Sequence, residues 1–313
     1  MSVLIKQLRS DNRVSWAQEN LVFEGLQTSP DKVYTELSYA PRLMHASDAH
    51  RFATGLGVKI AVIDTGADIK HPDLQGRIID TLNFVESGKL SFSTDRHGTA
   101  VTGIIGAQAD NGIGIIGIAP KAEVLLMKIC WYSQQNGSGA KCSSWTLAKA
   151  IDAAINNEVH IINLSLAGPH DQLLETLLDT ANQRGISIVT ASLDKMSEPG
   201  FPAKLNYVIP AVSTRPDGSV IQPEWLSKIP GVVAAPGVEI VTTTPHGHYD
   251  ILSGTSMAAA HVSGTVALLL EHDPSQSPET IKQILLDDSI ALDKYRSIDA
   301  CRLLNKISNG NGC

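Results

Sequence analysis

The apolar positions of this chain fall into two rhythms. Short, nearly unbroken apolar runs at Val58–Ile63, Ala122–Lys128, His160–Leu164 and Ile186–Ala191 leave no polar face, which predicts strands buried on both sides, as in a parallel sheet. Between them, Gly98–Ala107, Ser143–Asn157 and Asp171–Arg184 read as helices, the second capped by Ser143 or Ser144. Alternating strands and helices predict an α/β fold. Val208–Ser213 and Val232–Ala235 continue the strand series. Ile240–Thr244 and Tyr249–Leu252 then flank the turn Pro245–His248 and read as a hairpin. A short helix over Met44–Thr54 precedes the first strand, and Pro278–Leu286, capped by Ser277, forms a late helix before a last short segment, Ile298–Ile307.

One stretch differs from the rest. Ala258–Leu270 is small-residue and leucine-rich with no polar side, the composition of a buried helix, and a polar turn at Leu252–Gly254 leads straight into it. Gly254 or Thr255 serves as its cap. Ser256 then stands in the first turn, where unpaired backbone N–H groups and the positive end of the helix favour a developing negative charge. Taken alone, such a serine is as well explained as a helix cap.

Two further positions supply partners. Asp64 ends the run Val58–Ile63, at the edge where open α/β sheets build their sites, and His97 opens the small-residue helix that follows. Each has a plain alternative, a turn former and a surface histidine. Their order along the chain, Asp, His, Ser, is one of the orders in which a catalytic triad occurs.

The blocks Val58–Gly66, Arg96–Gly103 and Leu252–Gly264 resemble, in that order, the three defining motifs of the subtilisin-like serine proteases, the subtilases of peptidase family S8. The likeness runs from about Tyr39 to about Leu304 and takes in Asp68–Leu74, Gly112–Pro120 and Ile161–Pro169. It implies a three-layer α/β/α fold with a central, mostly parallel sheet across residues 28–307, between a propeptide remnant or N-terminal arm at 1–27 and a C-terminal tail at 308–313. It also implies a serine endopeptidase acting on polypeptides, with Asp64, His97 and Ser256 as the catalytic groups and no cofactor or metal in the chemistry. By the same resemblance, the Ser256 N–H and residue 194 form the oxyanion hole. Ser165, Leu166, Ala167, Gly168, Ala191, Ser192 and Gly200 line the substrate channel, and the small Ala191 and Gly200 imply a deep pocket for apolar side chains.

The sequence departs from the family pattern twice, with Ala260 where proline is usual and Leu193-Asp194 where Gly-Asn is usual. The second departure bears on chemistry, because an ionised carboxylate accepts hydrogen bonds and repels an oxyanion. Either Asp194 is protonated and donates, or the site is rearranged, or the enzyme is slow and selective, or an asparagine has been altered here. An inactive peptide-binding module and a peptide-maturing transpeptidase or macrocyclase are the rival readings.

Length and charge narrow the rest. The 313 residues, 43% of them hydrophobic, suffice for one large core, and the formal net charge of −7 with no basic run speaks against nucleic acid or an anionic membrane as partner. No apolar run reaches membrane-span length and no signal peptide opens the chain. Cys130 and Cys142 bracket a Gly/Ser-rich loop and suit a disulfide, which favours an oxidising compartment. Cys301 and Cys313 form a second candidate pair, with free thiols in a cytosolic protein as the alternative. Residues Leu8–Phe23 read as a helix end and a strand and resemble the tail of a subtilase propeptide, which implies a zymogen exported by a signal not present in this chain and inhibited by its own propeptide. The loop at Asp110 and Asn111 admits a structural calcium, although calcium wants six or more oxygens. A monomer is expected.

Overall fold

A computed structural model describes residues 3–16, 30–85, 92–132, 140–193, 197–229, 231–291 and 294–308. The chain divides into two compact units, Met1–Pro30 and Asp31–Cys313. In the first, helix α1 (Val3–Ser10) ends in a turn where the Asp11 carboxylate accepts the Arg13 N–H at 3.0 Å and pairs with its guanidinium at 2.5 Å. The strand expected at Leu21–Phe23 lies outside the described residues.

The second unit opens with α2 (Pro30–Leu37), α3 (Tyr39–Leu43) and α4 (Ala46–Ala49). Of the helix expected over Met44–Thr54 only α4 is helical, and His45, in a left-handed conformation (φ 48°) that no continuous right-handed helix accommodates, separates it from α3. Next come β1 (Lys59–Asp64), β2 (Ile78–Asn83), α5 (Arg96–Gly106), β3 (Glu123–Lys128), the hairpin β4 (Cys130–Tyr132) and β5 (Ala140–Cys142), and α6 (Ser144–Asn156). They are followed by β6 (Ile161–Leu164), α7 (Gln172–Gln183), β7 (Ser187–Ala191), β8 (Ile209–Thr214), β9 (Val233–Pro236), and the hairpin β10 (Ile240–Thr244) and β11 (His248–Leu252). Helices α8 (Thr255–His272) and α9 (Pro278–Ser289), the small hairpin β12 (Ile290–Ala291) and β13 (Lys294–Tyr295), and α10 (Ala300–Ile307) complete the chain.

Seven strands form one sheet in the order β2-β3-β1-β6-β7-β8-β9, and every neighbouring pair is parallel. The two-residue repeat of a strand sends its side chains to opposite faces. Ile60 and Val62 thus join one core with α5, α8, α9 and α10, while Ala61 and Ile63 join a second with α6 and α7. The result is the three-layer α/β/α arrangement the sequence implied. Strand β2 is missing from the sequence reading because Asp80 and Thr81 are exposed on this edge strand, which therefore shows no apolar run.

Helix α8 lies deepest. Its side chains from Met257 to Leu270 are all buried, so it is held by packing around its whole circumference rather than by an amphipathic face. At Gly264 it passes Ile118 so closely that a Cβ would stand 2.6 Å from the Ile118 Cβ. We expect Gly264→Ala to lower stability by about 1–3 kcal/mol despite alanine's better helix propensity, because the contact overpacks the core; urea unfolding of the purified variant measures this, and an unchanged midpoint would show that Ile118 yields freely.

Candidate functional site

Strand β1 carries Asp64 at its carboxyl end, 5% exposed, and the turn that follows clasps it: the Thr65 N–H donates to Asp64 Oδ1 at 2.6 Å. Gly66 then takes a positive φ of 109°, and a Cβ there would meet Asp95 Oδ2 and the Phe92 carbonyl at 2.8 Å, so this turn requires glycine. Gly98 on α5 is needed for the complementary reason, since a Cβ on it would run into the Gly66 carbonyl. Two glycines thus let a helix start lie directly on a strand end.

That close approach delivers His97. Its Nδ1 sits 2.8 Å from Asp64 Oδ1 and 3.0 Å from Oδ2, with the imidazole partly open to solvent. The Asp64 charge is the main influence on the ring and raises its pKa above the ordinary 6.5, with burial opposing and the hydrogen bond itself adding to the rise. With Nδ1–H donated to the carboxylate, Nε2 is the nitrogen free to take a proton.

Strands β1 and β6 pair Ile63 with Leu164, so Asp64 and Ser165 leave the sheet on adjacent strands, about 4.8 Å apart. Ser256 meets them there. Its Oγ donates to the Ser165 carbonyl at 3.3 Å, and Ser165 Oγ donates to the Ser256 carbonyl at 3.4 Å. The hydroxyl is turned to this carbonyl and makes no hydrogen bond to the His97 ring; catalytic hydrogen bonds commonly tighten only around substrate. Gly254 holds the cap position of α8, while the Thr255 hydroxyl is committed elsewhere, donating to the Ser192 carbonyl at 2.7 Å. Farther along, Ser263 Oγ donates to Asn163 Oδ1 at 2.8 Å, and Asn163 Nδ2 donates to Ser165 Oγ at 3.0 Å. The serine's helix is therefore fastened to the ends of β6 and β7, in part by Asn163 and Ser263, two side chains the sequence reading did not single out.

A cavity of about 580 Å³ adjoins Asp64 and His97. Ser165, Leu166, Ala167 and Gly168 line it, as does the β4–β5 hairpin, closed by the Cys130–Cys142 disulfide. Of the other residues expected in the channel, Ala191 and Ser192 are buried, the Ser192 hydroxyl donating to the Ala211 carbonyl at 2.6 Å. Gly200 packs toward Ala167, and Gly168 and Phe201 exchange two 2.9 Å backbone hydrogen bonds beside it. Asp194 lies outside the described residues. Tyr132 also reaches the site, its hydroxyl close to the His97 backbone and the Thr65 side chain. No sequence signal marks it, because it sits next to a loop without periodicity.

The remaining candidates resolve by geometry. His261 is buried with Nδ1 on the Met257 carbonyl at 2.8 Å, and desolvation pushes its pKa down to about 4, so it stays neutral as a packed helix residue. His246 and His248 are exposed around the hairpin turn, and the described residues hold no His/Cys/Asp/Glu group fit for a metal ion. At the calcium candidate, Asn111 Nδ2 donates to Asp73 Oδ1 at 2.8 Å, while the Ile115 N–H and the Tyr249 hydroxyl donate to Asp73 Oδ2 at 2.9 Å. Donors converge on that carboxylate. Ala260, in the place of the usual proline, is a buried residue of α8 and touches none of this chemistry. Cys301 is also disulfide-bonded, and Cys313 lies outside the described residues. No described helix is long and apolar enough to cross a membrane.

Comparison with known proteins adds a family match: the Subtilase family model covers residues 55–306. A thermophilic serine proteinase of Bacillus sp. (strain AK1) is 34% identical over 277 residues, 86% of this chain and 66% of that protein. The major intracellular serine protease of Bacillus subtilis (strain 168) is 37% identical over 70% of each chain. Among solved structures, fervidolysin from Fervidobacterium pennivorans, described as a keratinolytic enzyme related to subtilisin, superposes with a TM-score of 0.75 at 25% identity, covering 90% of this chain and 48% of that one.

If Asp64 is the charge that holds the imidazole proton, Asp64→Asn lowers the pH at which His97 titrates. Histidine ring NMR across pH reads this directly, and an unmoved titration would show that another group sets it.

Proposed function

The chain belongs to the subtilase family, whose members are serine endopeptidases, and we propose that it hydrolyses polypeptides through an acyl-enzyme formed on Ser256, with His97 as base and Asp64 as its anchor. The observation that carries this reading is the 2.8 Å Asp64–His97 contact at the strand edge where the Ser256 hydroxyl also stands. In this scheme Ser256 Oγ leaves the Ser165 carbonyl and hydrogen-bonds His97 Nε2. Oγ then attacks the substrate carbonyl as its proton passes to Nε2; the imidazolium, stabilised by Asp64, returns that proton to the departing amine, and water releases the acyl group by the same steps in reverse roles. The Ser256 N–H, at the start of α8, is one donor to the oxyanion.

Asp194 takes the second place in this scheme. A protonated carboxyl donates as an asparagine amide does, so we read Asp194 as neutral in the working enzyme and as the reason for activity weighted to mildly acidic pH. The base sets the opposite demand: His97 must be neutral to accept a proton, and Asp64 raises its pKa, so the limb on which the base loses its proton lies above pH 6.5. Together the two requirements confine activity to a narrow range.

A disulfide in the cleft wall supports export to an oxidising compartment; the intracellular relative is the counterweight. Residues 1–27 are read as a propeptide remnant, and no ion is assigned to the Asp110–Asn111 loop.

Ser256→Ala should cut hydrolysis of a peptide substrate by about 10⁶-fold and abolish labelling by a fluorophosphonate. A native chain that fails to label is instead a binding module, and ligated or cyclised products on a long peptide, read by mass, would make it a transpeptidase. Asp194→Asn should raise turnover at neutral pH by about 10²–10³-fold and flatten the acidic preference. No gain at neutral pH would remove Asp194 from the oxyanion hole.

A further inference from the structure

Beneath the Asp64–His97 pair lies a second ion pair that the reaction scheme does not use. Lys128, at the end of β3 and in register with Asp64 on β1, is 1% exposed; its ammonium donates to the Thr65 carbonyl and to the Asp95 carboxylate. Asp95 is 5% exposed and occupies the cap position of α5, two residues before His97, yet its side chain makes no cap hydrogen bond. The carboxylate turns inward to Lys128 instead, leaving its backbone carbonyl to accept the Thr99 N–H at 3.3 Å and the Thr99 hydroxyl at 2.5 Å. One ammonium thus fastens both the turn after Asp64 and the residue that starts the helix bearing His97.

Charge sharpens the case. Burial raises the pKa of Asp95, Lys128 pulls it back down, and Asp64 raises it again, so the two carboxylates are close enough to sense each other. A buried carboxylate this near would compete with Asp64 for the imidazole unless a cation cancelled it. We propose that Asp95 and Lys128 are positioning residues for the reaction, which fix the Asp64 turn against the His97 helix and leave Asp64 as the single uncompensated charge facing the imidazole. This rests on the reading of His97 as the base.

Among the described residues, other ionisable groups stand around the ring, with His170 and Asp171 lining the same cavity. Tyr132 comes from β4, and Arg96 on α5 pairs with Asp250 of β11 at 2.5 Å, where both are half exposed. In the turn packed under α5, Asp68 accepts the His246 N–H, the His71 ring meets the His248 carbonyl, and Asp73 accepts the Ile115 N–H. Strand β10 contributes only Thr242 and Thr243, which donate to the Ala100 and Thr99 carbonyls at 2.7 Å, and the first titratable residue of α8 is the neutral, buried His261. Lys128 is therefore the one cation buried beside Asp64 among the described residues.

The test is a charge cycle read on the His97 ring by NMR and, in parallel, on the acid limb of kcat/KM. Asp95→Asn leaves the Lys128 charge uncancelled, so His97 should titrate at lower pH than in the native chain. The double variant Asp95→Asn/Lys128→Met removes both charges and should return the titration to its native position. A scaffold role alone would reduce melting temperature in either variant without this shift and return. His97 titrating at its native pH in Asp95→Asn, or no return in the double variant, overturns the proposal. A shift and return in a protein that hydrolyses no peptide would leave the pair's electrostatic role standing and end the protease reading instead.

Discussion

The whole second unit is arranged around one helix that cannot face water. Helix α8 is buried from Met257 to Leu270, so it needs apolar partners on every side, and it finds them in the sheet beneath and in α5 and α10 around it. Burial fixes its axis; polar bonds fix its depth. Thr255, Ser256 and Ser263 fasten it to Ser192, Ser165 and Asn163 at and beside the strand ends, and the last of these is a buried side chain-to-side chain bond that would leave two polar groups unsatisfied if the helix slid by a turn. The Ser256 hydroxyl is consequently set at the sheet edge by packing some distance away from it.

A parallel sheet makes that edge chemically useful. Parallel strands all end on one side, so adjacent strands bring Asp64 and Ser165 together although a hundred residues separate them in sequence. The same geometry forces buried charge into the middle of the molecule. Asp64, Asp95 and Lys128 are each no more than 5% exposed, and two carboxylates with one ammonium leave a net negative charge for the imidazole to answer. Breaking a buried pair of this kind typically costs about 3–5 kcal/mol, which keeps the cluster intact only if all of it is present.

The cleft is assembled from two parts. One is the backbone of Ser165–Gly168, held to Phe201 by paired hydrogen bonds, and the other is a short hairpin closed by its own disulfide. Backbone groups on one side and small side chains along it suit an extended peptide, for which main-chain hydrogen bonds supply affinity and the cavity supplies selectivity. The calcium candidate illustrates how side chains decide such matters: Asn111 offers its amide hydrogens to Asp73 while its oxygen accepts the Ile113 N–H at 3.1 Å, so both ends of the amide are already engaged.

Much of this was legible in the sequence. Runs such as Val58–Ile63 predicted central parallel strands, and Ala258–Leu270 predicted a buried helix, because uninterrupted apolar side chains have no other stable place. Asp64, His97 and Ser256 stood out as candidates since each sits at the end of a recognisable element and the three together follow a recognisable order. The break at His45, the polar edge strand β2, the Tyr132 hydroxyl and the Asp95–Lys128 pair were not legible. Each depends on which distant backbone lies alongside: a lysine closing an apolar strand looks like any strand end until folding places a carboxylate 33 residues earlier against it. Local sequence specifies elements through periodicity and capping, whereas contacts between elements, and the charges they bury, exist only once the layers have closed.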